Sequence, residues 1–232
     1  MKLGIMQPYY FPYLGYIQLM NAVDQFVILD HVQFTKRGWI HRNRILVEGN
    51  IKPIHLKIDH MTQHRTIREH ERILDPVHEA YQLRLLHHAY QHAPSYADVM
   101  PMVERIIKNE ERNVATYLET LLTEVRDYLE MDTELLVASS LDYDKSLKCE
   151  QLVLEICHHL RTSHYINAIG GQELYDKQRF AESGVPLDFI QMNAVEYAQF
   201  GHPFTPNLSI IDVLMFNSKT KMRELLDAYR LV

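Results

Sequence analysis

Two short apolar runs, Lys2 to Met6 and Gln25 to Asp30, flank a segment from Tyr13 to Val23 in which Leu14, Ile17, Gln18, Met20, Asn21 and Ala22 fall at helical spacing. Strand, helix and strand in so short a stretch form a βαβ unit. Such a unit joins parallel strands by a right-handed crossover, and parallel sheets need both faces covered, so the chain is expected to be an α/β protein. Ligands of open α/β sheets sit beyond the carboxyl ends of the strands. There the chain places Met6-Gln7-Pro8-Tyr9-Tyr10-Phe11-Pro12-Tyr13-Leu14-Gly15-Tyr16, eleven residues with two prolines, five aromatic rings and one glycine. An ordinary connection needs only a few polar residues.

Trp39 to Val47 and Ile51 to Ile58 are expected to form a hairpin around Glu48-Gly49-Asn50. Helical periodicity then predicts helices over Pro76–His92, Tyr96–Asn109 and Val114–Glu130, with Ser95 as an N-cap. The α/β pattern resumes with strands at Glu134–Ser139, His164–Ala168 and Pro186–Gln191. Helices are expected at Leu147–Arg161, near Tyr175–Ser183, after Ser209 and near Lys219–Ala228. The simplest organisation is one parallel-sheet domain made of residues 1–74 and 132–232, with residues 75–131 inserted as a helical cap.

With 24 Lys plus Arg against 30 Asp plus Glu the net charge is −6, which argues against nonspecific nucleic-acid binding. Cys149 and Cys157 stand eight apart in a helical segment, about 12 Å along its axis, and are expected to be reduced thiols. Neither a signal peptide nor a transmembrane run is visible, so a cytoplasmic location is expected.

In the first loop Gln7 offers an amide, Pro8 and Pro12 stiffen the path, and Gly15 allows close approach near a helix start. Tyr9, Tyr13 and Tyr16 bring hydroxyls that need partners; the alternative is that the rings plug the top of the sheet. A second constellation runs from Asp30 to Arg44 and holds Gln33, Lys36, Arg37, Trp39, Arg42, Asn43 and Arg44, including the sole tryptophan. Arg and Lys there suit phosphate or carboxylate, and Trp39 suits stacking on a base or sugar; the plainer alternative is a solvated hairpin paired with surface acids. Asp30 is a candidate base or metal contact, or simply a turn cap.

At a predicted strand end, Asn167-Ala168-Ile169-Gly170-Gly171 followed by Tyr175 allows backbone to approach a phosphate or sugar edge, or else makes an ordinary tight turn. Ser209 is expected as a helix N-cap with Asp212 in a capping-box role, while Asn207 and Asp212 are also candidate substrate contacts. His60 with His64 and His88 with His92 have the i, i+4 spacing of zinc ligands but lack a third ligand at a fixed offset, so solvent-facing histidines are expected and no metal residue is assigned. Cys157-His158-His159 is not expected to act as nucleophile and base, because adjacent helix positions point apart.

The segments QPYYFPYLGYIQL, DQFVILDHVQFTKRGWIHRN, YINAIGGQELYD and NLSIIDVLMFNS together resemble the WbqC-like protein family over most of the chain. That resemblance implies a bacterial transferase associated with O-antigen and other surface-polysaccharide gene clusters, attaching an amino acid such as glycine to an amino sugar. In layout the first βαβ unit is also similar to pantothenate synthetase-like nucleotidyltransferases, which implies a Rossmann-like (HUP/nucleotidyltransferase-like) sheet. Where that superfamily carries His-x-Gly-His this chain has Tyr13-Leu14-Gly15-Tyr16. Uncharged donors thus replace the groups that hold a triphosphate.

The leading expectation is a transferase or amide-forming ligase acting on a sugar or amino-acid substrate, with ATP or a nucleotide-sugar as the cofactor class and Mg²⁺ left open. In it Asp30, Lys36 and Arg42 act at the reaction centre, Asp30 as base and the cations against phosphate. Gln7, Pro8, Tyr9, Tyr13, Gly15, Tyr16, Gln33, Arg37, Trp39, Asn43, Gly170, Gly171, Tyr175, Asn207 and Asp212 bind substrate. The alternatives are a non-catalytic protein that binds a glycan precursor or a biosynthetic partner, and a metal-dependent hydrolase.

Overall fold

The computed structural model describes residues 1–201 and 203–232. Five parallel strands and one antiparallel edge strand form its main sheet in the order β5–β2–β1–β6–β7–β8. These are β1 (Lys2–Met6), β2 (Gln25–Ile28), β5 (Glu134–Val137), β6 (His164–Ala168), β7 (Leu187–Met192) and β8 (Tyr229–Leu231). Helix α1 (Leu14–Asn21) links β1 to β2, which confirms the βαβ unit expected at the N-terminus. The chain winds outward from β1 through β2 to β5, then returns to the other side of β1 with β6, so the winding reverses between β1 and β6.

Alternation buries both faces of the central strands. On one face Leu3, Ile5, Val27, Tyr165 and Phe189 pack with α5 (Cys149–His159) and α6 (Lys177–Glu182) through Leu152, Val153, Ile156 and Phe180. On the other, Phe26, Ile28, Ile166 and Ile190 share one cluster with α1, α7 (Ile210–Phe216) and α8 (Lys219–Leu226). The three middle helices, α2 (Pro76–Tyr90), α3 (Tyr96–Ile107) and α4 (Val114–Tyr128), belong to that same cluster through Leu86, Val103, Leu118 and Leu121. Their cores are thus continuous with one face of the sheet.

Capping explains where these helices begin. The Asp75 carboxylate accepts from the amides of Val77 and His78 beside Pro76 at the first helical position, and the Asn113 side chain accepts from Ala115 and Thr116. Ser95 occupies the N-cap position of α3, but its hydroxyl donates instead to Asn217 O at 3.0 Å, tying α3 to the end of α7. Ser209 caps α7 as expected, accepting from Ile211 N at 3.2 Å. Asp212 does not complete a capping box, because its carboxylate is buried and accepts from Tyr90, Tyr197 and Gln199.

Strands β3 (Arg42–Val47) and β4 (Asn50–His55) form the expected hairpin as a separate two-stranded sheet. Its turn residues Glu48 and Gly49 both have positive φ, 49° and 74°, as a two-residue turn that follows strand twist requires. Among the described residues no helix is long and apolar enough to cross a membrane. Both cysteines are free, and burial pushes the Cys157 thiol up to about 12.

Candidate functional site

The Gln7–Tyr13 loop leaves β1 at the point of reversed winding, and the five aromatic rings from Tyr9 to Tyr16 divide between two tasks. Tyr10, Phe11 and Tyr16 are fully buried and belong to the core, whereas Tyr9 and Tyr13 are half-buried and face a cleft. The loop backbone is pinned at four places. Tyr10 N donates to Trp39 O at 3.0 Å, Ile210 N to Pro12 O at 2.6 Å, and Ser209 Oγ to Phe11 O at 2.9 Å. Asn43 Nδ2 reaches Tyr10 O at 3.1 Å and Phe11 O at 2.6 Å. From the first turn of α1, Tyr16 O–H reaches back to donate to Gln7 O at 3.1 Å.

Above the carboxyl ends of β1, β6 and β7 lies a cleft of two chambers, of about 530 Å³ and about 390 Å³. Each falls in the range of roughly 300–1,000 Å³ occupied by small-molecule sites. Tyr13, Trp39 and Ala168 line both chambers and form the divide between them. The larger chamber adds Gly15, Asn43, Arg44, Gln191 and Asn207; the smaller adds Gln7, Tyr9, Asn167, Gly170, Gly171 and Tyr175. Segments distant in sequence therefore meet here.

Ten of the expected site residues line this cleft: Gln7, Tyr9, Tyr13, Gly15, Trp39, Asn43, Gly170, Gly171, Tyr175 and Asn207. Pro8 and Tyr16 are buried beside it without lining it, and Gln33, Lys36 and Arg37 are exposed elsewhere. Arg42 folds back on its own turn, with Nε donating to Gly38 O at 3.2 Å and Nη2 to Arg37 O at 2.7 Å. Asp212 lies beneath the segment that leads to α7. Its partners Tyr197 and Gln199 belong to the stretch between β7 and α7, and that stretch ends by placing Asn207 at the cleft.

Asp30 lies at the end of β2 outside the cleft lining, fully buried, and accepts from Ser139 N at 2.9 Å and Arg68 Nη1 at 3.3 Å. Burial pushes its carboxyl up, but hydrogen bonds from His31, Ser139 and Arg68 outweigh it and hold the group below the ordinary carboxylate value. A carboxylate so stabilised is a weak proton acceptor near neutrality.

Arg44 is the cleft residue that the reading of the cation cluster left outside its assigned site. It is the only charged side chain among the described lining residues of either chamber. Its guanidinium lies 5.1 Å from the Trp39 ring centroid, and Nη2 donates to Asn207 O at 3.1 Å. Strand alternation puts Arg42 and Arg44 on one face of β3 and so gave no signal to separate them; only Arg44 is drawn in by the strap that carries Asn207.

The remaining polar lining is neutral. Burial, then the neighbouring Tyr13, pushes the Tyr9 phenol up to about 12, and burial raises Tyr13 and Tyr175 as well, so all three stay protonated at neutral pH. No carboxylate, imidazole, thiol or aliphatic hydroxyl is among the described lining residues. Nor do the described residues hold a group of three His, Cys, Asp or Glu side chains placed for a metal; His60, His64, His88 and His92 are exposed.

The family model of the WbqC-like proteins matches residues 7–224, a span that contains every expected site residue. The chain belongs to the WbqC-like protein family. It is 28% identical over 220 residues to an uncharacterized protein of Mycobacterium tuberculosis, Rv1507c, with 93% of each chain covered. No solved structure matches it.

Gly15 fixes the Tyr13 side of the cleft. A Cβ there would stand 2.6 Å from Tyr13 Cε2, so the ring would have to swing. Gly15→Ala is expected to fold, since a side chain can yield, and to lose ligand binding because the displaced phenol is a wall of both chambers. Circular dichroism and calorimetry on the same sample check both halves of that expectation.

Proposed function

We propose that this WbqC-like protein is a transferase or amide-forming ligase of surface-polysaccharide precursor synthesis, acting on an activated amino sugar held in the cleft between β1 and β6. One observation carries the reading. An indole, a guanidinium and neutral amide and phenol groups, drawn from separate parts of the chain, face a single cleft at the point of reversed winding. The order of the five parallel strands, third, second, first, fourth and fifth along the chain, supports a Rossmann-like assignment related to the nucleotidyltransferases.

In this reading the chain contributes position and charge. Tyr9, Tyr13 and Gln7 hold hydroxyls of the sugar, Trp39 covers a ring face, and Arg44 supplies the positive charge that the cleft otherwise lacks. The reacting amine loses its proton to solvent or to the co-substrate, because the described lining offers no base, and the amide bond forms as the amino acid's carboxylate, activated by ATP, gives up its oxygen with the departing phosphate or AMP. ATP as the acyl-activating co-substrate and a nucleotide-sugar as the amine-bearing substrate are the classes that fit a cleft of this size and charge.

The neutral lining also favours a second reading, a protein that binds the precursor without transforming it. Incubation with a nucleotide-linked amino sugar, glycine and ATP, followed by mass spectrometry and calorimetry, separates the two. Amide product supports the transferase; binding without product supports the carrier. Neither binding nor product removes both.

A further inference from the structure

The free polar groups are distributed unevenly along the cleft. In the larger chamber Asn43 spends its side chain on Tyr10 O, Phe11 O and Arg44 N, and Gln191 Oε1 accepts from Arg230 Nε at 2.9 Å and Nη2 at 2.8 Å. Arg44 is different. Nη2 is held by Asn207 O, Nε is buried without a partner, and Nη1 has no protein acceptor among the described residues. The guanidinium thus sits oriented against Trp39 with its charge uncompensated by any carboxylate in the lining.

Helix α1 opens on the same chamber through Tyr13 and Gly15. Its N-terminus carries no side-chain cap and no acidic residue in the first turn, so its amide dipoles add positive potential where Arg44 stands. The smaller chamber has the opposite character. The Gln7 amide and the Tyr9 and Tyr13 hydroxyls line it without protein partners among the described residues, and none carries charge.

The geometry points to two subsites of unlike charge in one cleft. Arg44 beside the start of α1 receives a phosphate or carboxylate, and Gln7, Tyr9 and Tyr13 receive a neutral, hydroxyl-bearing ring joined to it. The Tyr13–Trp39 divide marks the junction between the two parts of the ligand. This deepens the function proposed above and rests on its claim that the cleft holds the substrate. It also moves the anion contact from Lys36, Arg37 and Arg42 to Arg44.

Calorimetry with four probes tests the inference: inorganic phosphate, glycine, glucose and glucose 1-phosphate. Glucose 1-phosphate is expected to bind at least about tenfold tighter than glucose or phosphate alone, because it fills both subsites. Arg44→Gln is expected to weaken phosphate and glucose 1-phosphate by about tenfold or more, leaving glucose unchanged, with Arg44→Lys restoring part of the loss. Gln7→Ala is expected to weaken glucose and glucose 1-phosphate but not phosphate.

Binding of phosphate identifies a phosphoryl group as the anion, and binding of glycine instead identifies a carboxylate; either supports the inference when Arg44→Gln abolishes it. Mutual displacement of glucose and phosphate overturns it, as does equal weakening of both by Arg44→Gln in a protein whose circular dichroism is native. If glucose 1-phosphate binds but ignores Arg44→Gln, the two-subsite inference falls while the cleft stays the ligand site. If none of the four binds, the two-subsite inference falls, and the proposed function then stands or falls on the nucleotide-linked amino sugar alone.

Discussion

Asp212→Ala is expected to cost about 3 kcal/mol of stability, because it leaves the Tyr90 and Tyr197 hydroxyls without an acceptor and leaves Gln199 with Thr205 O as its main remaining acceptor. Tyr90 O–H, Tyr197 O–H and Gln199 Nε2 donate to this carboxylate at 2.8, 2.7 and 2.8 Å, and no cation shares the site among the described residues. The three come from α2 and from the strap between β7 and α7, so one side chain ties the helical middle, the strap and α7 together. Burial raises the Asp212 carboxyl, outweighing the three hydrogen bonds that lower it. Its ionised form is therefore destabilising, and folding stability from this group falls as pH rises through the unfolded carboxylate value and on to the raised folded one.

Asp212→Asn removes that charge while keeping one oxygen as acceptor, and a tyrosine hydroxyl can turn to accept from the new amide. It is expected to stay within about 1 kcal/mol of the parent. Urea denaturation of both variants checks the contrast. An alanine variant as stable as the asparagine one would mean that the strap is held by its apolar contacts instead.

Asn43→Ala is expected to be nearly as damaging, at about 2–4 kcal/mol, and to act on the cleft from below. Its Nδ2 satisfies two backbone carbonyls of the aromatic loop, and its Oδ1 accepts from Arg44 N at 2.9 Å, all with the residue buried. Removing it frees Tyr10 O and Phe11 O from β3 and loosens the segment that carries Tyr9 and Tyr13. Chemical denaturation should show the loss of stability, and ligand affinity should fall further than stability alone explains, because Asn43 is a clamp beneath the loop. Stability lost with affinity intact would separate the loop from the site.

Much of the scaffold was legible because it is local. The βαβ unit at the N-terminus, the three middle helices and the hairpin turn follow from periodicity, caps and turn residues within a few positions of one another. The gathering of Gln7, Tyr9, Trp39, Gly170 and Gly171 was legible too, since strand ends of a parallel sheet lie on one rim.

What the sequence hid was the direction of side chains in a charged cluster. Lys36, Arg37, Arg42 and Arg44 are chemically alike. Their sorting into solvent, a local turn and the cleft depends on where Trp39 and Asn207 lie in space. Asp30 and Asp212 were hidden for a related reason. A carboxylate at a strand end or in a first helical turn looks available until its buried donors, supplied from Ser139 or from Tyr90 and Tyr197, are in place.

Trp39 is the sole tryptophan of the chain and lines both chambers, so its emission reports on the cleft and on nowhere else. Titration with a nucleotide-linked amino sugar is expected to give a saturable change in Trp39 fluorescence with the same midpoint as the heat of binding. Binding heat that saturates while Trp39 emission stays constant would place the ligand elsewhere and contradict the assignment of this cleft.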